Sequence, residues 1–169
     1  MLLCLDIGFR NTGWVVFDKG KARVWGCIRT QKTKVKTDRV SDDNAYCAGV
    51  IARELKRVVE DNKCDAVIGE LPTSGSISSR PAHQMGIALG IVAGFVEVMG
   101  LPVEWVTPTD VKKAVTGKRN ASKDEIMDRV RKKFSDCNFM KTKAEFEHIA
   151  DACGVYLASQ GGIFRKVYG

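Results

Sequence analysis

The chain opens on an apolar run, Leu2-Leu3-Cys4-Leu5, that ends in a carboxylate, Asp6, ahead of Ile7-Gly8. A second stretch repeats the construction: Ala66-Val67-Ile68-Gly69 runs into Glu70, and Pro72 closes it. Short apolar runs between turn residues predict strands buried on both faces, as in a central sheet flanked by helices. Residues 8–13 read as a turn, while Trp14-Val15-Val16-Phe17 and residues 22–30 predict two more strands. Short connections make the first three strands an antiparallel meander. Ala48, Ile51, Leu55, Val58 and Val59 recur at helical spacing and predict a helix over 41–62, with Ser41, Asp42 or Asp43 as its cap. The right-handed crossover rule then sets the Glu70 strand beside the Asp6 strand. A long apolar helix over 81–99, slim with glycine and alanine, precedes a strand over 101–106. A short helix opened by Thr107-Pro108 breaks at 116–120, and helices follow over 121–134 and 143–160. The prediction is a single α/β domain over 1–169: a five-stranded mixed sheet, an antiparallel three-strand meander plus parallel strands, flanked by helices.

A buried strand does not tolerate an unpaired ionised carboxylate. In open α/β sheets, sites lie beyond the carboxyl ends of the strands, where Asp6 and Glu70 both fall. Two acids held together there indicate a divalent metal site. Asp151 is a third candidate, because its flank, Ile149-Ala150 and Ala152-Cys153, is apolar and faces the sheet. His148 lies three residues earlier on the same helical face. Singly, these helix residues have plain structural explanations: Glu145 and Glu147 as acids near a helix N-terminus, His148 as a satisfied interfacial histidine. With Asp6 and Glu70 they form a set of hard ligands that Mg²⁺ selects. Two such ions, about 3.5 to 4 Å apart, activate a water and stabilise the leaving oxygen in phosphodiester hydrolysis.

Charge adds a partner class. Lys and Arg number 27 against 20 Asp and Glu, a formal +7. The excess is clustered: residues 18–39 hold eight basic and two acidic residues, and 112–133 nine and three. The first cluster contains Lys32, Lys34 and Lys36, the second Lys112, Lys113, Lys118, Arg119 and Lys123, and Arg80 ends the Ser/Gly-rich loop after Glu70. One such run is usually a solvated face. Two runs on either side of the acids predict phosphate contacts around them. Six cysteines without a C-x-x-C pair fit reduced thiols. No run approaches the roughly 18 apolar residues of a membrane span, and Met1-Leu2-Leu3-Cys4 has no basic n-region, so a cytoplasmic protein without membrane association is expected.

Several of these residues recur together in a known order. Leu5-Asp6-Ile7-Gly8 with Asn11-Thr12-Gly13, Ile68-Gly69-Glu70, Thr107-Pro108 with Val111-Lys112 and Val115-Thr116-Gly117, Ala121 with Lys123, and His148-x-x-Asp151-Ala152 resemble the RuvC family of Holliday junction resolvases. The resemblance spans nearly the whole chain. It implies an RNase H-like fold, a homodimer, Mg²⁺ or Mn²⁺ dependence, and symmetric nicking of four-way DNA junctions to leave 5′-phosphate and 3′-hydroxyl ends. Asp6, Glu70 and Asp151 are implied as metal-binding carboxylates. His148, where members carry an aspartate or a histidine, is implied as a ligand or base, and Lys112 and Lys123 as cations near the scissile phosphate. The chain departs from the pattern after Glu70, where Leu71-Pro72-Thr73 supplies no aromatic to stack on bases; Phe9 and Ile77 are the substitutes considered. Two other readings compete. Asp6-x-Gly8 with Thr12-Gly13 also resembles the phosphate hairpin of actin-like ATPases and sugar kinases, but that architecture needs two such domains. A non-catalytic module that binds branched nucleic acid would share the basic clusters yet have no use for three acids and a histidine.

Overall fold

Side-chain alternation assigns each strand residue to one of two cores. Five strands, β1 (Leu2–Asp6), β2 (Asn11–Asp18), β3 (Lys21–Arg29), β4 (Ala66–Glu70) and β5 (Val103–Val106), form one sheet in the order β3-β2-β1-β4-β5. The β1–β2 and β2–β3 pairs are antiparallel, and β1–β4 and β4–β5 parallel, which is the predicted mixed sheet. Helices α1 (Val40–Asp61), α2 (Ser79–Met99), α3 (Pro108–Thr116), α4 (Lys123–Lys133) and α5 (Lys143–Ser159) flank it. The structure, a computed structural model, describes residues 1–32, 39–71, 79–139, 142–162 and 164.

On one face Leu2, Cys4, Val15, Phe17, Ala66 and Ile68 pack with Ile149, Cys153 and Tyr156 of α5. On the other, Leu3, Leu5, Val16 and Val67 pack with Ile51 and Leu55 of α1 and with Val92 and Val96 of α2. Successive strand residues point to opposite faces, so Asp6 follows Leu2 and Cys4, and Glu70 follows Ala66 and Ile68, onto the α5 face.

Three local expectations are corrected. β2 starts at Asn11 rather than Trp14, because Asn11, Thr12 and Gly13 pair with Arg29, Ile28 and Cys27 of β3, and Gly13 also pairs with Asp6 of β1; sheet pairing overrides the turn-like composition. Helix α1 has no side-chain cap: Arg39 is its N-cap, and the Arg39 carbonyl accepts from the Asp42 and Asp43 amides. Asp43 instead binds Arg10. Finally, residues Ser79–Val98 are long and apolar enough by length and composition to cross a bilayer, with mean hydropathy 1.2. The expectation that no stretch reaches the length of a membrane span is thereby corrected: glycines and single polar residues break the apolar pattern while that mean stays high enough, and a single helix of this kind is a weak membrane sign. Only Ala88, Val92 and Val96 of α2 are buried, Val98 is 88 % exposed, and Gly86, Gly90 and Gly94 face open space. All six cysteines are free thiols, four of them buried.

Candidate active site

The parallel register pairs Leu5 with Gly69, which leaves Asp6 and Glu70 level at the ends of neighbouring strands, about 5 Å apart along the hydrogen-bonding direction. Helix α5 crosses directly above. It comes this close because β2 offers Gly13 opposite Asp6: a Cβ there would lie 2.1 Å from the His148 carbonyl oxygen. As a result His148 Nδ1 sits 2.9 Å from Asp6 Oδ2, and Asp151, three residues on, shares the His148 face. A second close approach seats α3, since a Cβ on Gly154 would lie 2.6 Å from Val111 Cγ1. Its neighbour Lys112 then acts electrostatically on Glu70.

These groups are short of positive charge. Burial first, then Asp6 and Asp151, pushes the Glu70 carboxyl up to about 8, against a smaller pull from Lys112. Burial and Asp6 likewise push Asp151 up to about 7, opposed by Lys123 and His148. His148 is raised above its ordinary value, chiefly by its hydrogen bond to Asp6. Lys123 is raised by its ion pair with Glu147. A set of hard oxygen donors whose own protein supplies too little positive charge suits a divalent cation. Among the described residues no three His, Cys, Asp or Glu side chains converge at ligating distance. Asp6 is turned to His148.

The candidate DNA contacts are dispersed. Lys112 and Lys123 reach the carboxylates electrostatically. Lys113, Lys118 and Arg119 are exposed around the α3–α4 connection, with Lys118 Nζ 3.0 Å from Glu125. Arg80 is exposed in the first turn of α2, and Lys32 is exposed just beyond β3. Lys34, Lys36 and Ile77 lie outside the described residues. The second basic run is not one surface: Arg129, Lys132 and Lys133 line a depression with Val115 and Leu157. Leu157 is nine residues past His148, about 14 Å along α5. Phe9 does not replace the absent stacking aromatic, because it is 4 % exposed and the Arg10 guanidinium lies 5.1 Å from its ring centroid.

Sequence reasoning missed two residues here. Arg10 donates to Asp43 Oδ2 and Cys47 Sγ, both at 3.1 Å, while its carbonyl accepts from Thr30 N at 3.0 Å. It thus ties the turn after Asp6 to α1 and to the end of β3. Glu147, set aside as a helix acid, holds Lys123; the spacing of Glu145, Glu147 and Asp151 along α5 gave no hint of that partner.

Acids at the carboxyl ends of two adjacent central strands, closed over by a helix bearing a third acid and a histidine, stand on a five-stranded sheet of the RNase H-like class. Similarity to known proteins agrees. Residues 2–158 match the family described as Crossover junction endodeoxyribonuclease RuvC. The protein of that description from Rhodopirellula baltica is 30% identical over 94% of this chain and 87% of its own length. That from Chlorobium chlorochromatii is 29% identical over 93% and 77%. Among solved structures, T. thermophilus RuvC in complex with Holliday junction substrate superposes with a TM-score of 0.72 at 22% identity, covering 93% of this chain and 90% of that one. The yeast mitochondrial Holliday junction resolvase gives a TM-score of 0.62 at 11% identity, over 95% and 78%. The chain belongs to the RuvC family of crossover junction endodeoxyribonucleases.

Proposed function

We propose that this protein resolves four-way DNA junctions by metal-dependent phosphodiester hydrolysis, nicking two strands symmetrically to leave 5′-phosphate and 3′-hydroxyl ends. The observation that carries this reading is the sharing of one sheet face by Asp6, Glu70 and Asp151, with Glu70 and Asp151 held well above the ordinary carboxylate range by burial and by the neighbouring carboxylates. Their carboxylates are the residues that would hold Mg²⁺ or Mn²⁺, two ions per subunit. Bound there, the metal supplies an activated water and charge stabilisation at the leaving oxygen. His148 keeps a proton on Nδ1 against Asp6 and, once Asp6 turns away, becomes free as a further ligand or as a base. Lys112, beside Glu70, and Lys123, at the rim, neutralise the phosphate as it enters. Lys32, Arg80, Lys113, Lys118 and Arg119, with Lys34 and Lys36, hold the flanking backbone.

A junction has approximate two-fold symmetry, and two sites related by a C2 axis match it. The face of α2 that carries Gly86, Gly90 and Gly94 is open, and half-exposed Ile87, Ile91 and Phe95 lie beside it. That surface suits a second copy.

The test is a labelled synthetic four-way junction incubated with purified protein, with Mg²⁺ and with EDTA. Paired nicks at symmetry-related positions, re-sealable by ligase, are expected in Mg²⁺ alone. Binding without cutting in either Mg²⁺ or Mn²⁺ would instead identify a binding module.

A further inference from the structure

We infer that Glu147 is a positioning residue that keeps the Lys123 ammonium at the mouth of the carboxylate cluster and off the carboxylates themselves. The inference rests on the reading that Asp6, Glu70 and Asp151 hold a divalent ion.

Lys123 is the first residue of α4, and its side chain crosses to Glu147 on α5. The pair lies at the surface, with side chains 69% and 25% exposed. Asp151 and Asp6 also act on the same ammonium. Those two belong to the cluster that lacks positive charge, so they compete with Glu147 for the lysine. A lysine head on a flexible four-carbon stem has little packing to choose for it. Without Glu147 the ammonium falls onto Asp151 and Asp6, where it acts as a resident cation competing with the metal.

Glu147 suits the holding role. It precedes His148 by one residue, about 100° around the helix from the His148 and Asp151 face. The capping of α5 is already done by Thr142 and Glu145, so Glu147 is not needed for the helix start. When DNA arrives, a phosphate oxygen replaces the Glu147 carboxylate as the partner of Lys123. That exchange is easy because an exposed ion pair is weak.

The experiment measures Mn²⁺ binding without DNA, from the electron paramagnetic resonance signal of free Mn²⁺, on the full chain. The proteins are the parent, Glu147→Gln, Glu147→Asp, Lys123→Gln and the Glu147→Gln/Lys123→Gln double variant, each checked for folding by thermal melting. Glu147→Gln is expected to weaken Mn²⁺ binding about fivefold or more, the size of a coupling between contacting groups. Glu147→Asp, which keeps the charge but shortens the reach, should weaken it as well. In the Lys123→Gln background Glu147→Gln should have no effect. Equal losses with and without Lys123 would overturn the inference, because direct ligation or a general charge effect by Glu147 gives that result. Parental Mn²⁺ binding by Glu147→Gln would overturn it too. A parent that binds no Mn²⁺ would overturn the metal reading itself, a distinguishable failure.

Discussion

Protons and metal compete for the same carboxylates, and the sign of that competition is fixed by the direction of each shift. The folded chain raises Glu70 from 4.5 to about 8 and Asp151 from 3.8 to about 7. Well below the ordinary values both states are protonated and neither residue alters stability. As pH rises the unfolded chain ionises first, so the folded state loses stability progressively until it too is ionised. His148 works in the same direction: its attraction to Asp6 is fully present below its ordinary 6.5 and is lost as pH rises through its raised folded value. Asp110 and Glu125, lowered by their capping hydrogen bonds, contribute stability that is already in place above about pH 5. Metal-free protein should therefore melt at a lower temperature at about pH 8.5 than at about pH 5.5. Glu70→Gln should flatten the slope, and Mg²⁺ should raise the melting point mainly at the alkaline end. Thermal melts in EDTA and in Mg²⁺ across that range check this; a pH-independent melting point in EDTA would contradict it.

At the scale of elements, the site depends on how the turn after β1 is tied down. Arg10 and Asp43 form its anchor, and the Asp43 side chain is only 2% exposed. Losing one hydrogen bond to a charged group costs about 1.5–3 kcal/mol. Arg10→Met should cost close to that in urea denaturation, and adding Asp43→Leu should recover much of it. Equal stabilities for the parent and Arg10→Met would show that the pair anchors nothing. The same element shows where sequence reading stops. Strands β1 and β4 and their acids were legible because a charge ending a buried run is an anomaly that needs a reason. Asp151 was legible by the same logic on a helix, and the crossover rule then put Asp6 beside Glu70. Arg10 and Asp43 are 33 residues apart, and Lys123 and Glu147 are 24 apart, so no local periodicity links either pair. Gly13 was visible within a motif, but its reason, room for the His148 backbone, exists only once α5 is packed. The basic run over 112–133 was legible as charge and misleading as a surface, since α3 and α4 divide it between the carboxylates and a separate depression beside Leu157.

The whole molecule presents one face of carboxylates with cations around it and, elsewhere, an α2 helix with only one stripe covered. If that helix seats a second copy, light scattering should report twice the 18.6 kDa chain mass at micromolar concentration. A charged residue at Gly90, for instance Gly90→Glu, should shift it to the monomer without lowering stability in urea by more than the roughly 0.5 kcal/mol of a surface change. A monomeric parent, with and without junction DNA, would remove the dimer from the account. The central claim is that Asp6, Glu70 and Asp151 cut while cations around them bind. The most direct measurement is a paired gel assay, binding of a four-way junction in EDTA and cleavage in Mg²⁺, for Asp6→Asn, Glu70→Gln and Asp151→Asn. Each variant should lose more than about a hundredfold in cleavage rate, beyond the 10–100-fold typical of residues that only orient metal ligands. Each should bind at least as tightly as the parent, because a negative charge near phosphate has been removed. Cleavage at the parental rate by all three variants would contradict the claim.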